Sequence, residues 1–332
     1  MKIKKEELFL LSTTAIYQLI QYYLWVFRWE KADSLTYFYS ADSFKNIYNS
    51  SAYEISSFLF QPWFKIFGYS ILILMIAAFF YRLFIYKLID RIYKPINEII
   101  LISLLFFPLH GLLSFFPGRD LFSTLFLYLS VSFGLKNKYI FALLFAFFAA
   151  KFRILAALPL LLALSFEIFS IIRIKGSKIL KLFLASLFVF SLIYFIFNNL
   201  YILGYGANTN LILSRIQTEI SSDYFNLRGY TDFPRMVLNL YYPLLSSRFF
   251  SPYSLLSIEA IFATFLILFG FIKGRIYAIP RFIIFASSIN LLFTLIMCAL
   301  YPNITDMARK IYPLFFYASI IYFYINREKN SI

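Results

Sequence analysis

Residues 143–164 read LLFAFFAAKFRILAALPLLLAL, an apolar run interrupted only by Lys151 and Arg153, with Pro159 further on. Runs of this kind recur along the chain. A helix crossing a bilayer needs about 20 mostly apolar residues, and 8–27, 66–86, 98–116, 154–172, 182–203, 254–272, 282–301 and 311–326 meet that description. Two more runs, 121–135 and 139–150, are short for a crossing. Across its 332 residues the chain is 61% hydrophobic and only 14% charged, with a mean hydropathy of +0.76. A water-soluble globule cannot hide that much apolar surface, and a disordered chain is depleted in it. An outer-membrane barrel alternates polar and apolar residues and has a much lower average. The expected fold is an all-α, polytopic transmembrane helical bundle of about ten segments, forming one integral-membrane domain over 1–332.

The net charge of +15 suggests nucleic acid at first sight, but basic residues in a membrane protein mark the cytoplasmic loops. With ten crossings and the N-terminus inside, the inner segments hold Lys2, Lys4, Lys5, Arg82, Lys87, Arg91, Lys94, Lys136 and Lys138. Further along they hold Arg173, Lys175, Lys178, Lys181, Lys273, Arg275, Arg281, Arg327 and Lys329. The basic excess then sets orientation and contacts anionic membrane lipids; nucleic acid is not an expected partner. The start, MKIKKEELFLLSTTAIYQLIQYYLWVF, has no small-residue cleavage site and reads as a retained first span. If 139–172 were one broken helix, the orientation of everything after it would invert. The opposite side receives two longer loops, 28–65 and 204–253, rich in Tyr, Phe, Asn and Ser.

Candidate chemistry gathers on that outer side. Asp33 follows the first span, with Asp42 beyond it. Asp120 lies in Pro117-Gly118-Arg119-Asp120, between two apolar runs. It is either a helix cap or, beside its neighbour Arg119, part of a site folded toward a cavity. Lys151, Arg153, Arg309 and Lys310 fall on the same side. Arg holds phosphate oxygens with a planar pair of donors and Lys acts as a point charge; the alternative is snorkelling to lipid headgroups. In 204–253, Arg228 sits among aromatic and acidic residues, a composition suited to sugar rings or to an interfacial helix. His110 has no spaced ligand partners and reads as a core residue. The lone cysteine, Cys298, excludes a disulfide framework. Glu167 and Glu259, inside spans, are either functional or simply protonated or paired.

Several short motifs together resemble a known family. They are Asp33-Ser34-Leu35-Thr36-Tyr37-Phe38, Phe67-Gly68-Tyr69-Ser70, Leu105-Phe106-Phe107-Pro108, Gly118-Arg119-Asp120-Leu121, Arg153, and Arg309 through Tyr312-Pro313. The pattern resembles the GT-C-type membrane glycosyltransferases that use polyprenyl-phosphate sugars, and also the Wzy and EpsG-like polysaccharide polymerases. The resemblance implies a lipid-linked sugar donor, a glycan or lipid acceptor, and a location in a bacterial-type plasma membrane. It implies that Asp33 deprotonates the acceptor hydroxyl, with Asp120 a second acid. Arg153 and Arg309 would hold the donor phosphate. Asp42, Arg119, Lys151, Arg228 and Lys310 complete the candidate substrate-binding set. Many GT-C members carry a tight Asp-X-Asp in the first outer loop. This chain lacks it, so a divalent metal stays an open element of the site and no metal ligand is named.

Overall fold

A computed structural model describes residues 5–27, 44–46, 50–114, 116–171, 187, 191, 252–300 and 304–329. Among them every regular element is a helix: α1 (Lys5–Phe27), α2 (Ala52–Phe67), α3 (Ile71–Ile92), α4 (Ile96–Phe106), α5 (Pro108–Ser114), α6 (Arg119–Leu135), α7 (Tyr139–Phe152), α8 (Ile154–Ile171), α9 (Pro252–Lys273), α10 (Arg281–Leu300) and α11 (Ile304–Lys329). Most of the apolar run 182–203, the loop 204–253 up to residue 251, and most of 28–51 lie outside the described residues. Of the described helices, α3 is long and apolar enough to cross a membrane. Ile96–Phe106, Tyr139–Phe152, Ile154–Ser170 and Arg281–Thr294 are apolar but shorter.

The bundle has two distinct ends. At one, Lys87 bridges Glu7 at 2.7 Å, the Tyr93 and Tyr324 hydroxyls meet at 3.4 Å, and Lys136 stands 5.6 Å over the Tyr93 ring. Tyr139 meets Phe282 edge to face. These contacts draw together the start of α1, the end of α3, the α6–α7 connection, the start of α10 and the end of α11. Most of the described basic residues lie at this end. The other end collects the starts of α3, α6, α8 and α11. Between the ends, α6 and α7 pack closely because α7 presents Ala142, Ala146, Ala149 and Ala150, all fully buried. Ser130 donates to the Ala142 carbonyl at 2.6 Å, and Ser123 donates to that of Ala149 at 3.3 Å. α8 then runs back, since Phe166 near its end packs on Phe285 of α10. Residues 139–171 are therefore a hairpin of two helices and not one broken helix.

Three sequence expectations need correction. The run 98–116 is two helices, because Pro108 has no N–H to offer the Leu104 carbonyl. The Tyr17 hydroxyl supplies that bond at 2.7 Å, and Gln21 donates to the Leu112 carbonyl at 2.6 Å. Arg82, counted above with the inner loops, lies well inside α3 and is fully buried. Its Nη1 donates to Gln18 Oε1 at 2.6 Å. The stretch 28–65, expected as a loop, contains most of α2, which starts with a capping box: Glu54 N–H donates to Ser51 Oγ, and Ser51 N–H donates to Glu54 Oε2.

Apolar side chains also cover the outside. Ile140, Phe265, Ile272, Leu19 and Phe84 are each more than 60% exposed. Inside, contact is tight: a Cβ added at Gly134 would meet the buried Phe282 ring at 2.8 Å. Overpacking a filled core costs about 1–3 kcal/mol. Gly134→Val is therefore expected to lower the midpoint of thermal unfolding in detergent, read by intrinsic fluorescence.

Candidate functional site

The site is built around the corner between α7 and α8. Arg153 alone links them: it is extended (φ −149°, ψ 89°), and its N–H ends α7 by donating to the Ala149 carbonyl at 2.9 Å. Its carbonyl accepts from the Ala156 and Ala157 N–H groups at 3.2 Å, starting α8. A one-residue corner leaves the side chain little choice of direction. Opposite it, Gly118 precedes α6 at φ 123°, a conformation that L side chains rarely adopt, and puts Asp120 in the first turn of that helix.

The two residues meet in a two-pronged ion pair. Arg153 Nε donates to Asp120 Oδ1, and Nη2 donates to Oδ2 at 2.9 Å. Asp120 is 2% exposed and the Arg153 side chain 14%. Both helix ends are fixed by aromatic packing one and two residues away. Phe122 contacts Phe152, Phe60 and Tyr81, all with ring centroids 5.4 Å apart, and Phe60 meets Tyr81 edge to face at 5.7 Å. Each such pair contributes about 0.5–1.5 kcal/mol beyond its buried area. The same cluster seats α2, whose Leu59 carbonyl accepts from the Tyr81 hydroxyl.

Seating α2 there brings its first turn to the site. The Arg119 guanidinium lies 4.3 Å from the centre of the Tyr53 ring, a cation–π contact. Lys151, from the last turn of α7, is 3% exposed and lies within electrostatic reach of Glu54. Snorkelling is thereby excluded for Lys151. From the far side, the Tyr312 hydroxyl of α11 shares a 2.9 Å hydrogen bond with Ser123, within electrostatic reach of Asp120 and Arg153.

The structure therefore brings together Asp120, Arg119, Lys151 and Arg153 from the sequence-based set. Arg309 and Lys310 belong to the first turns of α11, just ahead of Tyr312, so their backbone reaches this end of the bundle. Asp33, Asp42 and Arg228 lie outside the described residues. One reading changes: Asp120 is not the α6 cap, since Gly118 holds that position. The two-pronged partner of Asp120 is Arg153, 33 residues on. Sequence reasoning missed Tyr53 and Glu54, although Ser51-Ala52-Tyr53-Glu54 carries the spacing of a capping box. His110 is a core residue, 1% exposed, with Nε2 3.4 Å from the Tyr128 hydroxyl. Glu259 is buried in α9. Among the described residues no group of three or more His, Cys, Asp or Glu is placed to hold a metal ion. A cavity of about 430 Å³ opens at the opposite, basic end, between Glu6, Asp90, Lys94, Glu98 and Arg327, and touches none of Asp120, Arg119, Lys151 and Arg153.

No protein-family model, curated protein or solved structure matches the chain.

Removing one member of a buried ion pair leaves the other charge uncompensated and typically costs about 3–5 kcal/mol, whereas replacing both members by apolar groups costs much less. Asp120→Leu is expected to lower the unfolding midpoint sharply. Adding Arg153→Met should recover much of the loss, measured by thermal unfolding of the single and double variants in one detergent.

Proposed function

We propose that the chain is a multi-pass membrane glycosyltransferase that moves a sugar from a polyprenyl-phosphate donor to a glycan or lipid acceptor at the non-cytoplasmic face. About ten crossings with a cytoplasmic N-terminus are part of this proposal. The all-helical bundle, its apolar outer surface and the gathering of basic residues at one end support it. The reading is carried by a single observation. Arg119, Lys151 and Arg153 converge with Asp120 at the end opposite the basic one. Cations gathered where an apolar bundle meets the headgroup region suit a lipid-linked phosphate. They stabilise the charge that builds on it as the sugar leaves. Arg153, clamped by Asp120, fixes the corner. Arg119 and Lys151 flank it, and Arg309 and Lys310 add charge from α11. An acidic residue from the first outer segment, 28–65, takes the acceptor's proton. The energy of the reaction comes from the donor itself, so no nucleotide is required.

One observation favours a second reading, a Wzy or EpsG-like polymerase joining lipid-linked repeat units. Both Asp120 oxygens are taken by Arg153, which makes the site predominantly a cation site, as expected where arginines carry most of the phosphate binding.

Purified protein in detergent, supplied with a polyprenyl-phosphate sugar and an acceptor glycan, is expected to transfer sugar without a sealed membrane. A single added sugar supports the transferase, and a ladder supports the polymerase. A need for two compartments would indicate transport instead. Arg309→Ala is expected to abolish glycan production while the amount of protein in the membrane, read by immunoblot, stays unchanged.

A further inference from the structure

Resting on the transferase reading, we infer that Glu54, in the first turn of α2, is the general base that takes the proton from the acceptor hydroxyl. Asp120 is poorly suited to proton abstraction, since it is buried and both of its oxygens accept hydrogen bonds from the Arg153 guanidinium. Glu54 is only half-buried. Its capping bond to the Ser51 N–H, 2.5 Å at Oε2, fixes where the carboxylate sits. The residue before it, Tyr53, carries Arg119 over its ring, and Glu54 itself faces the charge of Lys151. Base and phosphate-holding cations are therefore neighbours, as a displacement between two substrates at one centre demands.

The charges balance through the step. The acceptor O–H gives its proton to Glu54, and the oxygen forms the new bond to the anomeric carbon of the sugar. The bond from that carbon to the phosphate oxygen breaks, and its electron pair leaves with the lipid phosphate, which gains one negative charge. Glu54 loses one negative charge in the same event. Lys151, whose buried ammonium needs an anion nearby, exchanges its carboxylate neighbour for the phosphate. The net charge around it is unchanged, and the phosphate is held more strongly in the transition state than in the ground state, which is the condition for raising the rate.

Glu54→Gln separates this role from a structural one, because Gln at the same position also completes a capping box. The transfer assay in detergent is expected to show kcat lowered by about 10²–10⁴-fold, the usual contribution of a positioned base. The KM for the donor should be unchanged or lower, since Lys151 keeps its charge and loses only its acidic neighbour. Ser51→Ala removes only the hydroxyl that accepts from the Glu54 N–H and keeps the backbone N–H that holds the carboxylate, so it should lower the unfolding midpoint and keep kcat. A wild-type kcat in Glu54→Gln overturns the inference while leaving the transferase reading intact. So does an equal loss of kcat in Ser51→Ala, or a loss in Asp33→Asn with Glu54→Gln fully active. Failure of the wild-type protein to transfer sugar at all overturns both.

Discussion

The Asp120–Arg153 pair is the constraint around which this end of the molecule is arranged. A charged group buried among apolar helices must find its partner inside the protein, because water is excluded from its surroundings. A guanidinium at the joint of two helices and a carboxylate in the first turn of a third answer that requirement together. Everything near them follows: the glycine that lets α6 begin where it does, the rings of Phe122 and Phe152 that set its depth, and the close seating of α2. Arg119 and Lys151 flank the pair, Arg119 over the Tyr53 ring and Lys151 buried beside it.

The same economy operates deeper in the bundle. Proline opens a gap in the α4–α5 ladder, and a tyrosine hydroxyl from α1 closes it. Arg82 is buried against Gln18. Each of these bonds joins helices far apart in sequence, so the same polar contacts also fix how α1, α3 and α4 stand against one another. Leaving any such group unsatisfied costs about 1–3 kcal/mol, comparable to a lost aliphatic side chain.

Much of the architecture is legible in the residues. Apolar runs locate the helices, and Pro117-Gly118 locates a sharp reversal. Lys151 and Arg153 stand out because little else in their stretch is polar. What is not legible has specific causes. Asp120 and Arg119 are adjacent in sequence, but adjacent side chains on a helix point about 100° apart. The partner has to come from another helix, and spacing does not reveal which. Arg82 reads as a loop residue because its acceptor, Gln18, lies on a different helix. Glu54 escapes notice because it is remote from any span, while the local signal at Ser51 marks a helix start rather than chemistry. Asp33, Asp42 and Arg228 lie outside the described residues.

A joint made of one residue has no slack. Adding a residue to α7 ahead of Arg153 would swing its side chain by about 100° around the helix axis and raise it about 1.5 Å, carrying all of α8 along. Exchange of side chains is then the only variation this joint accommodates; insertions and deletions have to fall elsewhere along the polypeptide. The corner acts as a ruler, holding the distance between two helices constant however their outer surfaces drift.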